Sequence, residues 1–433
     1  MEEGQEAVPA SVLVAASGDG RVTGALNLDG AGGEDATSRR HWVMRIPITK
    51  PFFGDEERRA ILKPLETGWV VQGPFVKEFE AKVAAFTGAG YARATSSCTT
   101  ALHLSLIACG VKPGDEVVLP SFTFVASANA IRYVGAKPVF ADIQLSTFSI
   151  DEACVDRALS ERTSAVLPVH LFGLCADMDP LLALAKRRGL AVVEDAACAI
   201  GGFYKGAHAG TLGQAGCLSF HPRKSITTGE GGMVLTSSSE VARKIEIMRD
   251  HGADATDLQR HAEGVSLLPE YNVLGFNYRM TDFQGAIGVA QMGKLEAILS
   301  RRSELAGRYT DGLRDLPWLR TPAEPEGYRH GYQAYVCMFA PADLGSGVDE
   351  KSLGDMSRER IRLMDYLEKK GISVRQGTHA VHTLGLYRDA VGGDPWACPN
   401  SLIADRLSLA LPLFPQMDRS EQDYVMEALH AWK

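Results

Sequence analysis

The sequence predicts an α/β fold: a large domain on a mixed, mostly parallel sheet, followed by a small C-terminal α/β domain. Three observations predict it. Between residues 91 and 195 short apolar runs alternate with amphipathic helical stretches, as in a parallel sheet covered on both faces. Beyond 195 two such runs, CLSF and GMVLT, follow each other with no helix between them, which makes the sheet mixed. The chain is also 433 residues long, too long for one small core.

Taken in order, residues 1–43 are rich in Gly, Ala and acids without a sustained period, and they read as a disordered extension or a mis-called start. Met44 opens MRIPITKPFFGDEE, a plausible start for a large domain over 44–290. Two helical segments, 55–66 and 75–87, precede the first strand, YARAT. A helix from Thr99, the strand EVVLP, a helix from Thr123, the strand KPVFADI and a helix near Asp151 follow. SAVLPVH, a helix near Asp179 and LAVVED complete the alternation, with right-handed crossovers expected. CLSF and GMVLT then flank 221–231, expected as a loop over the edge of the sheet. One long helix over 280–313 joins this part to the small domain, 291–433, with strands such as YQAYVCMF, an exposed loop over 342–357, a helix over 358–370 and a closing amphipathic helix.

Composition narrows the function. A net charge of −8, with no basic stripe, argues against nucleic acid as a partner. The eight cysteines form no Cys-x-x-Cys pair and sit at no zinc spacing, which fits a reduced cytoplasmic protein without a metal site. No apolar run approaches the ~20 residues of a membrane span, and the N-terminus is acidic where a signal peptide is basic. Small-molecule chemistry is what remains.

Three stretches carry such chemistry. SFHPRKSITTGEGGMV (219–234) sets Lys224 in a loop of small residues, with Gly229, Gly231 and Gly232 permitting close backbone approach. Desolvated and beside a second cation such as Arg223, this lysine is expected to have a lowered pKa and to attack carbonyls as an amine. On the stretch alone, a solvated lysine in a tight turn is the other reading. LAVVED ends on Glu194 and Asp195, and carboxylates at the end of a parallel strand project into the ligand crevice of open α/β sheets. Being adjacent, only one of them can face a given side, and both could instead cap the next turn. ATSSCTTALHLSL (94–106) brings Ser96, Ser97, Thr99 and Thr100 to a strand–helix junction, a site for phosphate or simply a helix cap. No Gly-x-Gly-x-x-Gly follows the first strand, which weakens a nicotinamide dinucleotide reading. A phosphate anchor, a carboxylate for a pyridinium nitrogen and a lysine for an aldehyde together call for pyridoxal 5′-phosphate.

These residues also resemble a known family. From about residue 46 to the C-terminus the chain resembles the DegT/DnrJ/EryC1/StrS aminotransferases, in GPFVKEFE, TSSCTTALHLSL, GDEVVLPSFTFVASANAI, PVHLFG, VVEDAACAIGG, GCLSFHPRKSITTGEGGMV, GFNYRMTDFQGAIG and LSLALPLFP. The resemblance implies the aspartate-aminotransferase-like fold type I of pyridoxal-phosphate enzymes. It implies that Lys224 carries the cofactor as a Schiff base and later shuttles a proton, and that Asp195 pairs with the pyridinium nitrogen. Phe124 would stack on the cofactor, while Thr99 with its neighbouring backbone and Ser219 would hold the phosphate. Asn277, with Arg279 close by, would reach the phosphate of the neighbouring subunit's cofactor, which implies a homodimer. Two positions depart from the usual pattern. Cys98 stands where glycine often precedes the phosphate-binding Thr, and Cys198 where Gln or His often bonds the pyridine hydroxyl, for which a thiol is a weak partner.

His170 in PVHLFG is read as nearer the cofactor than His221, with a histidine satisfied by backbone as the alternative. Arg375 and His379 read as surface loop, with substrate contact as the second reading. The reaction implied by the resemblance is ping-pong transamination from L-glutamate to a nucleotide-linked keto sugar, with 4-keto-6-deoxy hexoses favoured. A keto-cyclitol acceptor in the same site is the alternative. The family's dehydratase branch carries histidine in place of Lys224. A pyridoxal-phosphate-binding regulator would need a DNA-binding motif that the N-terminal segment does not show.

Overall fold

In the computed structural model the described residues are 45–254, 268–340, 344 and 347–432, so the extension expected over 1–43 and part of the loop expected over 342–357 lie outside them. Seven strands form the main sheet: β1 (Tyr91–Thr95), β2 (Glu116–Pro120), β3 (Lys137–Ala141), β4 (Thr163–Val166), β5 (Ala191–Asp195), β6 (Ala215–Ser219) and β7 (Gly232–Thr236). Their spatial order is β1, β7, β6, β5, β4, β2, β3. β7 runs antiparallel to both neighbours, and every other pairing is parallel. The sheet is therefore mixed as expected, but β6 and β7 lie inside it, with β1 at the margin. The loop 220–231 thus hangs over the end of the strands and not over a lateral edge.

Alternation of side chains along the strands divides the interior in two. Val117, Leu119, Val193, Cys217 and Val234 face one core, while Val118, Val192, Leu218, Met233 and Leu235 face the other. Helices α1 (Pro74–Thr87), α4 (Glu152–Ala158) and α5 (Met178–Arg188) pack in the second core through Val76, Phe79, Val83, Val155, Leu181 and Leu184. The first core holds α2 (Cys98–Ala108), α3 (Val125–Tyr133) and α6 (Ser239–Met248). α2 is apolar nearly all round, with Ala101, Leu102, Leu104 and Leu106 at 1% exposure or less, each large side chain contributing ~1.5–3 kcal/mol by burial. It starts where it does because Ser97 accepts the Thr100 amide hydrogen at 3.2 Å.

The single helix expected over 280–313 is two, α7 (Asp282–Met292) and α8 (Leu295–Leu313). Between them Lys294 leaves helical geometry (φ −121°, ψ 9°) and reaches back to Glu57 at 2.8 Å and over the Phe52 ring at 4.6 Å. α8 then bridges the cores: Leu295, Ile298 and Leu299 pack in the second, Leu305, Ala306, Tyr309 and Leu313 in the first. Between these two sets Arg302 is 1% exposed and donates to the carbonyls of Tyr332, Gln333 and Leu413. Beyond it β8 (Leu319–Arg320), β9 (Tyr335–Phe339) and β10 (Ser408–Leu411) form an antiparallel sheet of three strands. α9 (Glu350–Lys369) takes up much of the expected loop, because Asp349 caps it reciprocally with Ser352. α10 (Pro399–Leu407) and α11 (Arg419–His430) complete the chain.

Candidate active site

Strand polarity assembles the site. β5 and β6 end at the same side of the sheet, and antiparallel β7 begins there, with Gly232 opposite Ser219. At Gly232 the start of α2 lies so close that a Cβ would collide with the Ser97 carbonyl and come within 2.6 Å of the Cys98 nitrogen. Only glycine lets the first turn of α2, with its free amide hydrogens and positive dipole end, sit directly on the sheet beside Ser219. Thr99, half-buried, stands in that turn.

Asp195 is 5% exposed at the end of β5. Its Oδ2 accepts from the Ser127 hydroxyl at 2.7 Å and its Oδ1 from the Ala197 amide at 3.1 Å, while Ser127 is itself 3.0 Å from the Thr123 hydroxyl. Ser127 lies in the first turn of α3, whose cap residue is Phe124. Phe124 is 63% exposed, an apolar ring left standing at the rim of the same crevice. The two-residue strand Phe122–Thr123 pairs with His379–Ala380, so His379 lies beside that rim as part of a strand pair and not of a free loop.

Lys224 is half-buried in a turn closed by its amide hydrogen to the His221 carbonyl, and its Nζ donates to Cys198 Sγ at 3.1 Å. Burial pushes its pKa down, but the sulfurs of Cys198 and Cys98 and the Asp195 carboxylate outweigh this, and the ammonium is held above its ordinary value. That reverses the lowered value expected from desolvation beside Arg223, whose side chain is exposed. Hydrogen bonds and register bring the four together: Lys224 donates to Cys198, three residues past Asp195, and Asp195 pairs in the sheet with Cys217, whose carbonyl lies 3.6 Å from the Cys98 thiol.

Other expected residues are placed differently. Cys98 turns its thiol into the core, 3.6 Å from the Cys217 carbonyl. Burial and the nearby Asp195 push that thiol's pKa well up. His170 is fully buried: Nδ1 accepts the Ala176 amide hydrogen at 3.0 Å, so the ring proton sits on Nε2, 2.8 Å from Glu194. With both nitrogens engaged, its ring has none left for a cofactor. Arg279 is paired with Asp250. Asn277 is exposed, and the next carbonyl, that of Tyr278, accepts from the Ser96 amide at 2.8 Å, which sets this segment against the start of α2. Ser127 is the residue that reading the sequence missed. Its signal was its position, one helical turn after Phe124.

A group with an anionic phosphate, an aldehyde and a basic ring nitrogen fits this arrangement. The helix start with Ser219 suits the phosphate, and among the described residues neither Lys224 nor Asp195 stands in an ion pair: the lysine donates to a thiol, and the carboxylate accepts from a hydroxyl and an amide. Fold and site together define a pyridoxal-phosphate-dependent aminotransferase of fold type I. The model of the DegT/DnrJ/EryC1/StrS aminotransferase family matches residues 52–430, and the chain belongs to that family. The spore coat polysaccharide biosynthesis protein SpsC of Bacillus subtilis is 38% identical over 384 residues, 89% of this chain and 96% of that protein. Among solved structures, the aminotransferase TlmJ from Streptoalloteichus hindustanus is 30% identical with a TM-score of 0.78, covering 89% of this chain and 98% of that one. Spr1654 from Streptococcus pneumoniae, solved in its PMP form, is 27% identical with a TM-score of 0.80 over 89% and 98% of the two chains.

Proposed function

We propose that the chain transfers the amino group of L-glutamate to a keto sugar carried on a nucleoside diphosphate, with 4-keto-6-deoxy hexoses as the acceptor class. The observation that carries this reading is the meeting of the Lys224 amine, the Asp195 carboxylate and the start of α2 at one end of the sheet. When bound, pyridoxal phosphate supplies an aldehyde and an electron sink. Lys224 is the nucleophile that holds it and then the base that moves the proton at the substrate's α-carbon. Asp195 keeps the ring nitrogen protonated, and Ser127 fixes the carboxylate that does so. Ser219, Thr99 and the first amide hydrogens of α2 hold the phosphate, and the exposed Phe124 ring covers one face. SpsC, named for polysaccharide biosynthesis, supports a sugar acceptor.

Asn277, exposed beside the start of α2, is assigned to the phosphate of the partner's cofactor in a homodimer. The part beyond 291 is assigned as the small domain that closes the crevice. The eight free cysteines support a cytoplasmic setting, and no helix among the described residues is long and apolar enough to cross a membrane.

The purified protein is expected to show a visible absorbance band that borohydride bleaches, with the label mapping to Lys224. A colourless protein that takes up no pyridoxal phosphate sinks the reading. A panel of nucleotide-linked keto sugars and keto-cyclitols, with glutamate as donor and 2-oxoglutarate release as readout, then identifies the acceptor. Mixing inactive Lys224→Ala and Asn277→Ala chains is expected to restore roughly a quarter of the activity through hybrid dimers. No recovery means that Asn277 does not serve the partner's site.

A further inference from the structure

The closest partner of the Lys224 amine is a second nucleophile. Nζ lies 3.1 Å from Cys198 Sγ, a distance that a small rotation of either side chain closes to a bond. Cys198 is half-buried beside Lys224, with part of its surface open to a small oxidant from solvent. The thiolate form of a cysteine is the nucleophile that attacks peroxide. No other cysteine has this setting. Cys98, Cys175, Cys217, Cys337 and Cys398 are buried. Burial pushes the Cys109 thiol up to about 11, and Cys154 faces Arg157, whose guanidinium is not a nucleophile.

We propose that Cys198 and Lys224 form an oxidation site at which a peroxide joins the thiol and the amine in a reversible sulfur–nitrogen bond. In the first step the Cys198 thiolate attacks hydrogen peroxide; sulfur is oxidised by two electrons to the sulfenic acid, and the peroxide is reduced to water. In the second, Lys224 gives up its ammonium proton to solvent once the uncharged sulfenic acid has replaced the thiolate beside it, and its amine attacks that sulfur; the S–N bond forms, the S–O bond breaks, and hydroxide leaves as water with a proton from the amine. The product is two hydrogens lighter than the reduced chain. Two equivalents of a thiol reverse it: the first cleaves the S–N bond and frees the amine as a mixed disulfide forms, and the second releases the Cys198 thiol.

The consequence rests on the proposed role of Lys224. A nitrogen bound to sulfur cannot take up an aldehyde, so the oxidised chain is locked without cofactor, while a nitrogen already committed to the cofactor is protected. The bond therefore marks the empty enzyme only.

The full-length protein, freed of pyridoxal phosphate, is treated with hydrogen peroxide, digested and analysed by mass spectrometry. The expected product is a joined pair of peptides carrying Cys198 and Lys224, two hydrogens lighter than their sum. Uptake of pyridoxal phosphate falls in proportion to the joined fraction, and dithiothreitol restores both. The cofactor-loaded protein and Cys198→Ser are expected to form no such pair, and Cys198→Ser to take up as much cofactor after peroxide as before. Cys198 carrying one to three oxygens with Lys224 free overturns the inference, as does a Cys98–Cys198 disulfide, which has the same mass change on different peptides. A protein that takes up no pyridoxal phosphate before any oxidation defeats the functional reading instead, and the peptide map still decides the cross-link.

Discussion

Glu194 and Asp195 are neighbours that leave β5 on opposite sides, and their partners separate structure from chemistry. Glu194, fully buried, accepts from His170 and from the amide hydrogens of Gly210, Leu212 and Gly213, so it pins the segment leading into β6. Replacing it with alanine leaves four donors unmet, those of His170 and Gly210 fully buried, and is expected to destabilise the fold by ~3–5 kcal/mol, read as a lower denaturant midpoint. An unchanged midpoint would show that the segment holds without it. Asp195 has the opposite profile, and Ser127→Ala probes it without touching the charge. Losing a hydrogen bond to a carboxylate is worth ~1.5–3 kcal/mol, so pyridoxal phosphate is expected to bind about tenfold more weakly or worse, with little change in the melting temperature. Fluorescence titration of the cofactor measures this, and equal affinities remove Ser127 from the site. Lys224→Arg keeps a cation but loses the amine nucleophile, and turnover is expected to fall by ~10⁴-fold or more. Lys224 and Asp195 stood out in the sequence only through the three stretches taken together and the family resemblance, because each stretch alone left a structural alternative open. The engagement of His170 and the upward shift of Lys224 were not, since both depend on residues far away in sequence.

Among elements, the strands of the main sheet and the helices between them were legible from period, while the strand pair of Phe122–Thr123 with His379–Ala380 and several boundaries, all fixed by contacts between distant segments, were not. The break before α8 needs Glu57 and Phe52, more than two hundred residues upstream of Lys294. The early start of α9 was available as an Asp–Ser capping pair, hidden by the glycines around it. Placing β6 and β7 inside the sheet required knowing that β1, read as the first strand of the alternation, pairs only with β7. The contact of Gly232 with the start of α2 gives this arrangement a test. Gly232→Ala drives a methyl group into the Ser97 carbonyl, expected to cost ~1–3 kcal/mol and to weaken cofactor binding by displacing the first turn of the helix. Tight cofactor binding in that variant would mean that the turn does not hold the phosphate.

At the scale of the whole molecule two buried histidines set a limit in acid. Burial pushes His208 down to about 4 and His330 to about 3, so both stay neutral in the folded chain. The unfolded chain protonates them near ~6.5. Folded pKa values below the unfolded ones give a contribution that is complete above ~6.5 and is lost as pH falls from there toward 4 and 3, at up to ~1.4 kcal/mol per unit for each ring. The urea midpoint is therefore expected to drop between pH 7 and pH 5, and His330→Asn, which keeps an acceptor for the Tyr332 amide, to reduce the drop. An identical drop in that variant would assign the acid sensitivity to other groups. The interior place of β7 also has a consequence in time. β1 has no other partner in the sheet, and the residues that pair with it follow roughly 140 positions later. On a ribosome adding ~5–20 residues per second, β1 and the apolar helix after it emerge and wait on the order of ten seconds before their strand exists. Through that interval the nascent chain carries an unpaired strand and an apolar helix, so residues 91–108 expose hydrophobic surface of the kind that chaperones cover.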